Sequence, residues 1–314
     1  MLTSRLLLID SIVSFVSGLV LFLAPHIVAG VIFNRPTDGV HWHLIRCIGG
    51  QIIASAYAPF KMRKSTSPPT QTVCYLLRII PCILFLMLLF HCRSQTPDLI
   101  SLKYLEWMKY FLFASLATYI LALIGSGWHV GSSLFTANRI GNGLYQFDSL
   151  ASVAIGATWM AVPKWLLHRQ VVVPLDETHE LCGRIMGSMF VASYIVATHA
   201  LHWPNQGDRN LAVDCRVICC LSILSAQIWS QIAYPGNFPG LINFIISIVI
   251  FQKPGPATIG LEFLFSLLGP SSQCSTSSHY GSRKLKLTDI KFNLNFNKYL
   301  IDINFALKLI RMFT

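Results

Sequence analysis

The chain has 314 residues, of which 54% are apolar and 12% charged, with a formal net charge of +11 and a mean hydropathy of +0.57. A soluble fold of this length needs far more charge to cover its surface, so the composition excludes that class. The apolar residues fall in long blocks without the alternation of barrel strands, and lipid offers no partner for free backbone groups, so the blocks are expected to be membrane-crossing helices.

The first expected span, Leu6–Pro25, follows Arg5 and is interrupted by Asp10. An apolar run ahead of Ala29–Gly30 has the outline of a cleaved signal, but an uninterrupted core is missing and the segment has a counterpart deep in the chain. It is therefore expected to stay as a helix. Pro36 and Asp38 then announce a helix start, with the Asp oxygen accepting N–H bonds of the first turn and His41 one turn on. The spans Leu44–Phe60, Val73–Cys92 and Tyr104–Ile124 complete a first group of four. A linker rich in Gly and Ser, Gly125–Gly143, precedes Leu144–Trp165, Gly183–Leu201, Leu211–Ala233 and a short eighth span, Leu241–Phe251. Ala257–Leu268, broken by Glu262, is a ninth span or a re-entrant piece. From Gly269 the chain turns Ser-rich and then basic. Arg283–Thr314, with its Lys, Asn, Ile, Leu, Phe and Tyr bias, reads either as translated non-coding sequence or, over Tyr299–Phe313, as a basic amphipathic segment on an anionic leaflet.

Sliding the chain by 138 residues aligns its two halves without a gap. Between Asp10 and Ser55 there are 12 identities in 46 positions, including Asp10/Asp148, Gly18/Gly156, Pro25/Pro163, Asp38/Asp176, His41/His179, Arg46/Arg184, Gly49/Gly187 and Ser55/Ser193. Arg78 meets Arg216 in the third helix of each group. Such a match indicates duplication. The expected fold is thus an all-α polytopic membrane helix bundle of about eight transmembrane helices, in two tandem parallel four-helix repeats. The first repeat takes residues 1–125, the linker 126–143, the second repeat 144–268 and a polar, basic tail 269–314.

Charges inside spans are costly and must pair or face a cavity. Asp10 and Arg78 both fall about one turn inside their helices from the same side, as do Asp148 and Arg216, which predicts two intramembrane ion pairs. On the opposite side, Asp38, His41 and Arg46 recur as Asp176, His179 and Arg184. They form either helix caps with small-residue packing at Gly49–Gly50 and Gly187–Ser188, or a polar pocket on the pseudo-two-fold axis suited to an anionic headgroup or small acid. The other histidines do not recur in register, the nine cysteines lack zinc-like spacing, and no catalytic motif is well placed, so no metal, cofactor or catalytic residue is expected.

Seven basic loop residues on the side of the amino terminus (Arg5, Lys61, Arg63, Lys64, Arg139, Arg209 and Lys253) against five on the other place both termini in the cytoplasm.

The run Leu23-Ala-Pro25, Val31-Ile-Phe33 and Leu44-Ile-Arg46-Cys-Ile-Gly49-Gly50 resembles the core of the tumour protein p53-inducible protein 11 family. Its Arg-x-x-Gly-Gly opening is also similar to that of DoxX-like four-helix membrane proteins. The resemblance covers roughly 40 residues of each copy, departs at Ser188 in the second, and implies a four-helix membrane unit without assigned catalysis. Three functions fit: a non-enzymatic scaffold or modulator, a carrier with its site between the repeats, or a lipid-modifying enzyme. The expected partners are the lipid bilayer and a small anionic solute or headgroup, not nucleic acid; protein partners are not readable.

Overall fold

A computed structural model describes residues 2–238, apart from 66, 130, 132–133, 135–138 and 204. The short eighth span, the Ala257–Leu268 piece and the tail lie outside the described residues. Within them the chain is helical: α1 (Leu2–Leu23), α2 (Pro25–Ile32), α3 (Gly39–Met62), α4 (Pro68–Gln95), α5 (Leu102–Gly125), α6 (Arg139–Ala161), α7 (Pro163–Leu167), α8 (Glu177–Ala200) and α9 (Gln206–Ala233). No strand occurs among the described residues; a single antiparallel bridge joins Phe33 to Ile100. Five helices, α1, α4, α5, α8 and α9, are long and apolar enough to cross a membrane.

Several boundaries differ from expectation, each for a local reason. Pro25 and Pro163 do not end a rod. Each opens a new short helix, because a proline cannot continue the hydrogen-bond ladder but suits a first helical turn. The residue before each leaves helical geometry in the same way, Ala24 at φ −124°, ψ 48° and Val162 at φ −133°, ψ 51°. Since α1 begins at Leu2, Asp10 lies about two turns inside it rather than one, and Arg78 is nearer three turns into α4. Helix α6 begins at Arg139, inside the expected linker.

Glycines set the closest packing. α1 crosses α3 where Gly18 faces Gly49: a Cβ on Gly18 would come within 2.8 Å of the Gly49 oxygen, and one on Gly49 within 2.6 Å of the Gly18 oxygen. α6 crosses α8 in the same manner, with 2.6 Å from Gly156 to the Gly187 oxygen and 2.7 Å for the reverse. Only glycine lets two helix backbones approach so closely. At the centre α3 packs on α8, while α9 lies mainly against α3 and α4 lies between α5 and α8.

The polarity is inverted relative to a soluble bundle. Ile9, Phe111, Leu121, Ile124, Leu150 and Ile232 point outwards, each at least 62% exposed, while Arg46, Arg78, His41 and His179 are buried. Two apolar clusters fill the interior, one around Val40, Leu44 and Ile48, the other around Ala58, Met62 and Val73. Between them runs the stretch of α3 that carries Gln51 and Ser55.

Candidate functional site

Polar side chains gather in two layers. The first lies where the amino-terminal ends of α3 and α8 meet. Asp38 caps α3: its Oδ1 accepts from the backbone N–H of Val40 (2.9 Å) and of His41 (3.2 Å), and its own N–H donates to His41 Nδ1 (3.2 Å). Asp176 caps α8 identically, with Thr178 N–H at 3.1 Å, His179 N–H at 3.2 Å, and its own N–H 3.2 Å from His179 Nδ1. This is a capping box with His in the place usually held by Glu or Gln.

The two boxes face each other. The imidazoles of His41 and His179 lie with ring centres 3.6 Å apart at 34°, and both rings are buried. His179 Nε2 reaches across to Asp38, 3.2 Å from Oδ1 and 3.3 Å from Oδ2. His41 Nε2 meets the Thr178 hydroxyl at 2.5 Å, and that hydroxyl lies 2.5 Å from Asp176 Oδ1. Each Nδ1 lies within reach of both its cap N–H and its cap carboxylate, and each Nε2 points across the seam, so both rings are held at both ends. The two boxes differ at both intervening positions, Gly39 against Glu177 and Val40 against Thr178, and the second difference gives only one side a hydroxyl relay.

Electrostatics follows from these contacts. Partial burial works to raise the Asp38 carboxyl, but hydrogen bonds from His179 and His41 outweigh it and hold the group well below the usual carboxylate range. Asp176 is likewise lowered, the Thr178 hydroxyl and the His179 backbone and ring overcoming burial. Arg35 Nη1 sits 2.5 Å from Glu177 Oε2 and 3.9 Å from Asp176 Oδ2.

The two arginines grouped with this cluster in the sequence are placed elsewhere. Arg46 follows His41 by five residues, about 140° around the helix, so it faces α1 instead. There its Nε donates to the Phe22 carbonyl (3.2 Å), in the last turn of α1, and its guanidinium lies 5.3 Å from the Trp229 ring. A helix end leaves such carbonyls without an intrahelical donor. Arg184 turns to Glu180 one turn back, 3.4 Å away. The His/Asp cluster and the arginines therefore do not share one pocket among the described residues.

The second layer joins α1 to α4 and α6 to α9. Arg78 Nε donates to Asp10, 2.8 Å from Oδ2 and 3.1 Å from Oδ1. Arg78 Nη1 also donates to Ser55 Oγ (2.9 Å), and the Tyr119 hydroxyl donates to Asp10 Oδ1 (2.5 Å). In the other half Arg216 Nε is 2.7 Å from Asp148 Oδ1, and its Nη2 donates to Asp148 Oδ2 (3.0 Å), Ser193 Oγ (3.3 Å) and Ser152 Oγ. Beside this second pair lies a cavity of about 40 Å³, lined from one side by Gln51 and Ser55 and from the other by Asp148, Ser193, Arg216 and Cys219. Gln51 is buried, and neither end of its amide has a hydrogen-bond partner among the described residues.

Five of these residues had no assigned role in the sequence. Ser55 and Ser193 recur 138 residues apart, a signal that was present. Thr178, Gln51 and Tyr119 have no identical counterpart at that offset, and only the geometry picks them out. Arg209, counted above as a loop charge, is buried in the first turn of α9: its Nη1 donates to the Ala200 carbonyl (3.2 Å) and its Nη2 to Asn142 Oδ1 (2.7 Å), so it ties α9 to α8 and α6.

The family model described as a domain of unknown function, DUF8292, matches residues 8–252, and the chain belongs to that family. Searches of the curated proteins and of the solved structures find no match for it.

Proposed function

We propose that this member of the DUF8292 family is a multi-pass integral membrane protein of two tandem, parallel four-helix repeats, which acts without catalysis as a scaffold or modulator within the bilayer. The observation that carries the reading is the inverted polarity: exposed faces of Ile, Leu and Phe surround buried charges, each tied to a neighbouring helix. A monomer in water rarely exposes apolar patches on this scale, whereas lipid is their natural solvent. Support for the repeats comes from contacts that recur at the 138-residue offset: the two glycine crossings, the two capping boxes and the two Asp–Arg pairs. The four-helix unit so formed is of the kind implied by the DoxX-like Arg-x-x-Gly-Gly opening. Both termini are assigned to the cytoplasm.

Single cysteines in a background lacking the native ones test this arrangement. Labels at Lys64 and Arg139 should react from the cytoplasmic side, and labels at Arg35 and Lys103 from the other. Release of the protein by alkaline extraction, or labelling of Lys64 and Lys103 from one side, would overturn it.

A second reading, a carrier of a small polar solute with its site between the repeats, is favoured by the Gln51–Arg216 cavity, because residues of both halves line it. Loss of solute flux in a Gln51→Leu variant that still folds would favour the carrier. Unchanged flux would favour the scaffold.

A further inference from the structure

The facing histidines do more than cap helices. Asp38, His41 and His179 each offer one ligand atom, and these atoms all lie within 4.8 Å of one another, contributed by the two ends that meet at the seam. The imidazoles are 1% and 3% exposed, which sets them apart from the acidic surface clusters that bind nothing. His179 Nε2 and Asp38 Oδ2 are 3.3 Å apart, the edge of a tetrahedron whose metal–ligand bonds are about 2.0 Å. Asp38 Oδ2 caps no N–H, since Oδ1 accepts both bonds of the first turn, and it turns instead to His179 Nε2 across the seam.

The second shell has the geometry that metal-binding histidines use. Each Nδ1 lies against the carboxylate of its own cap, 2.9 Å for His41 and Asp38, 2.7 Å for His179 and Asp176. A carboxylate that accepts from Nδ1–H fixes the ring and leaves the Nε2 lone pair facing outwards. Only His179 presents its Nε2 to Asp38 in this way; His41 Nε2 faces Thr178 and Asp176, so His41 would ligate through Nδ1, 2.9 Å from Asp38 Oδ1. The two carboxylates, Asp38 and Asp176, also match the charge of a dication.

We propose that Asp38, His41 and His179 form a binding site for a first-row divalent cation of the Zn²⁺ type at the seam between the two halves, with Asp176 orienting His179. Nitrogen and oxygen donors in this mix select such ions over Mg²⁺ and Ca²⁺. Three protein ligands leave a fourth position for water. The site goes beyond the scaffold reading and does not depend on it.

The test uses the full chain in detergent, purified with a tag free of histidine and stripped by a chelator. Equilibrium dialysis against Zn²⁺ should load one ion per chain and raise the unfolding temperature, while Mg²⁺ should do neither. His41→Gln and His179→Gln should abolish loading, and Asp176→Asn should weaken it by about 10- to 100-fold. Should these variants fail to fold, the wild-type protein loaded with Co²⁺ still decides: weak visible bands without a thiolate charge-transfer band support the site. Absence of loading, equal loading in the His41→Gln/His179→Gln double variant, or a thiolate band would overturn the proposal.

Discussion

The same ion pair occupies two different surroundings in this chain. Asp10 and Arg78 are sealed, each side chain 10% exposed, with Ser55 and Tyr119 completing the partners. Asp148 and Arg216, in the matching places, are 31% and 22% exposed and border the cavity that Gln51 enters. A carboxylate and a guanidinium out of water are tolerable only while each satisfies the other. The first half has closed that account with a tyrosine from α5, and the second leaves its pair open to a space shared with the opposite half. One layer thus serves two ends: a tie in the first half, and polar lining in the second.

The largest test of this contrast is to remove each arginine in turn. Arg78→Ala would strand the buried Asp10 carboxylate and should cost about 3–5 kcal/mol, seen as loss of folded protein or a large drop in unfolding temperature in detergent. Arg216→Ala should cost visibly less, since Asp148 can hydrate from the cavity. Equal losses would mean that the two surroundings are energetically alike. Exchanging Asp10 and Arg78 in one variant should recover part of the loss, because Ser55 and Tyr119 serve either arrangement imperfectly.

Next come the glycine crossings, where the halves should agree rather than differ. Gly49→Ala and Gly187→Ala each place a methyl within 2.6–2.7 Å of a facing backbone oxygen, which no side-chain rotation relieves. Each should destabilise by about 1–3 kcal/mol, measured as a thermal shift. A harmless Gly187→Ala would show that α6 and α8 are not in this close crossing. Tyr119→Phe follows. It removes the hydroxyl that seals Asp10 and should cost about 1.5 kcal/mol, the low end for a hydrogen bond to a charged group. The second ion pair should be unmoved by it.

These contacts also explain how far the sequence could be read. Period and spacing identified where the described helices fall, because long apolar runs and prolines act locally. The 138-residue offset singled out Asp10, Arg78, Asp38 and His41 with their counterparts, because polar identities survive in apolar surroundings only at specific positions. The offset could not say which residues share a face. Arg46 sits in the same repeated string as His41 yet lies about 140° away around the helix, so grouping by string placed it in the wrong company. Nor could spacing reveal that His41 and His179 stack on each other, since that depends on α3 packing against α8 with their amino-terminal ends together. Tyr119 and Gln51 belong to one half alone. Asymmetry of this kind leaves no trace in a comparison of the halves.

The smallest effect is the most specific to the difference between them. The position that matches Gln51 in the second half is Met189, which lines the same cavity. If the two halves needed only packing there, methionine would serve both. A buried amide with no protein partner costs about 1–3 kcal/mol unless water or a solute satisfies it, and about 40 Å³ is room for water. Replacing it by a flexible apolar side chain of similar length removes that penalty, so Gln51→Met should leave stability unchanged or raise it by about 1 kcal/mol, read from unfolding in detergent. A clear loss of stability would show instead that the amide is satisfied by ordered water, and that the second ion pair draws on that water through Ser193. In that event Gln51→Met and Arg216→Ala should not add, because both would disturb one hydrated network.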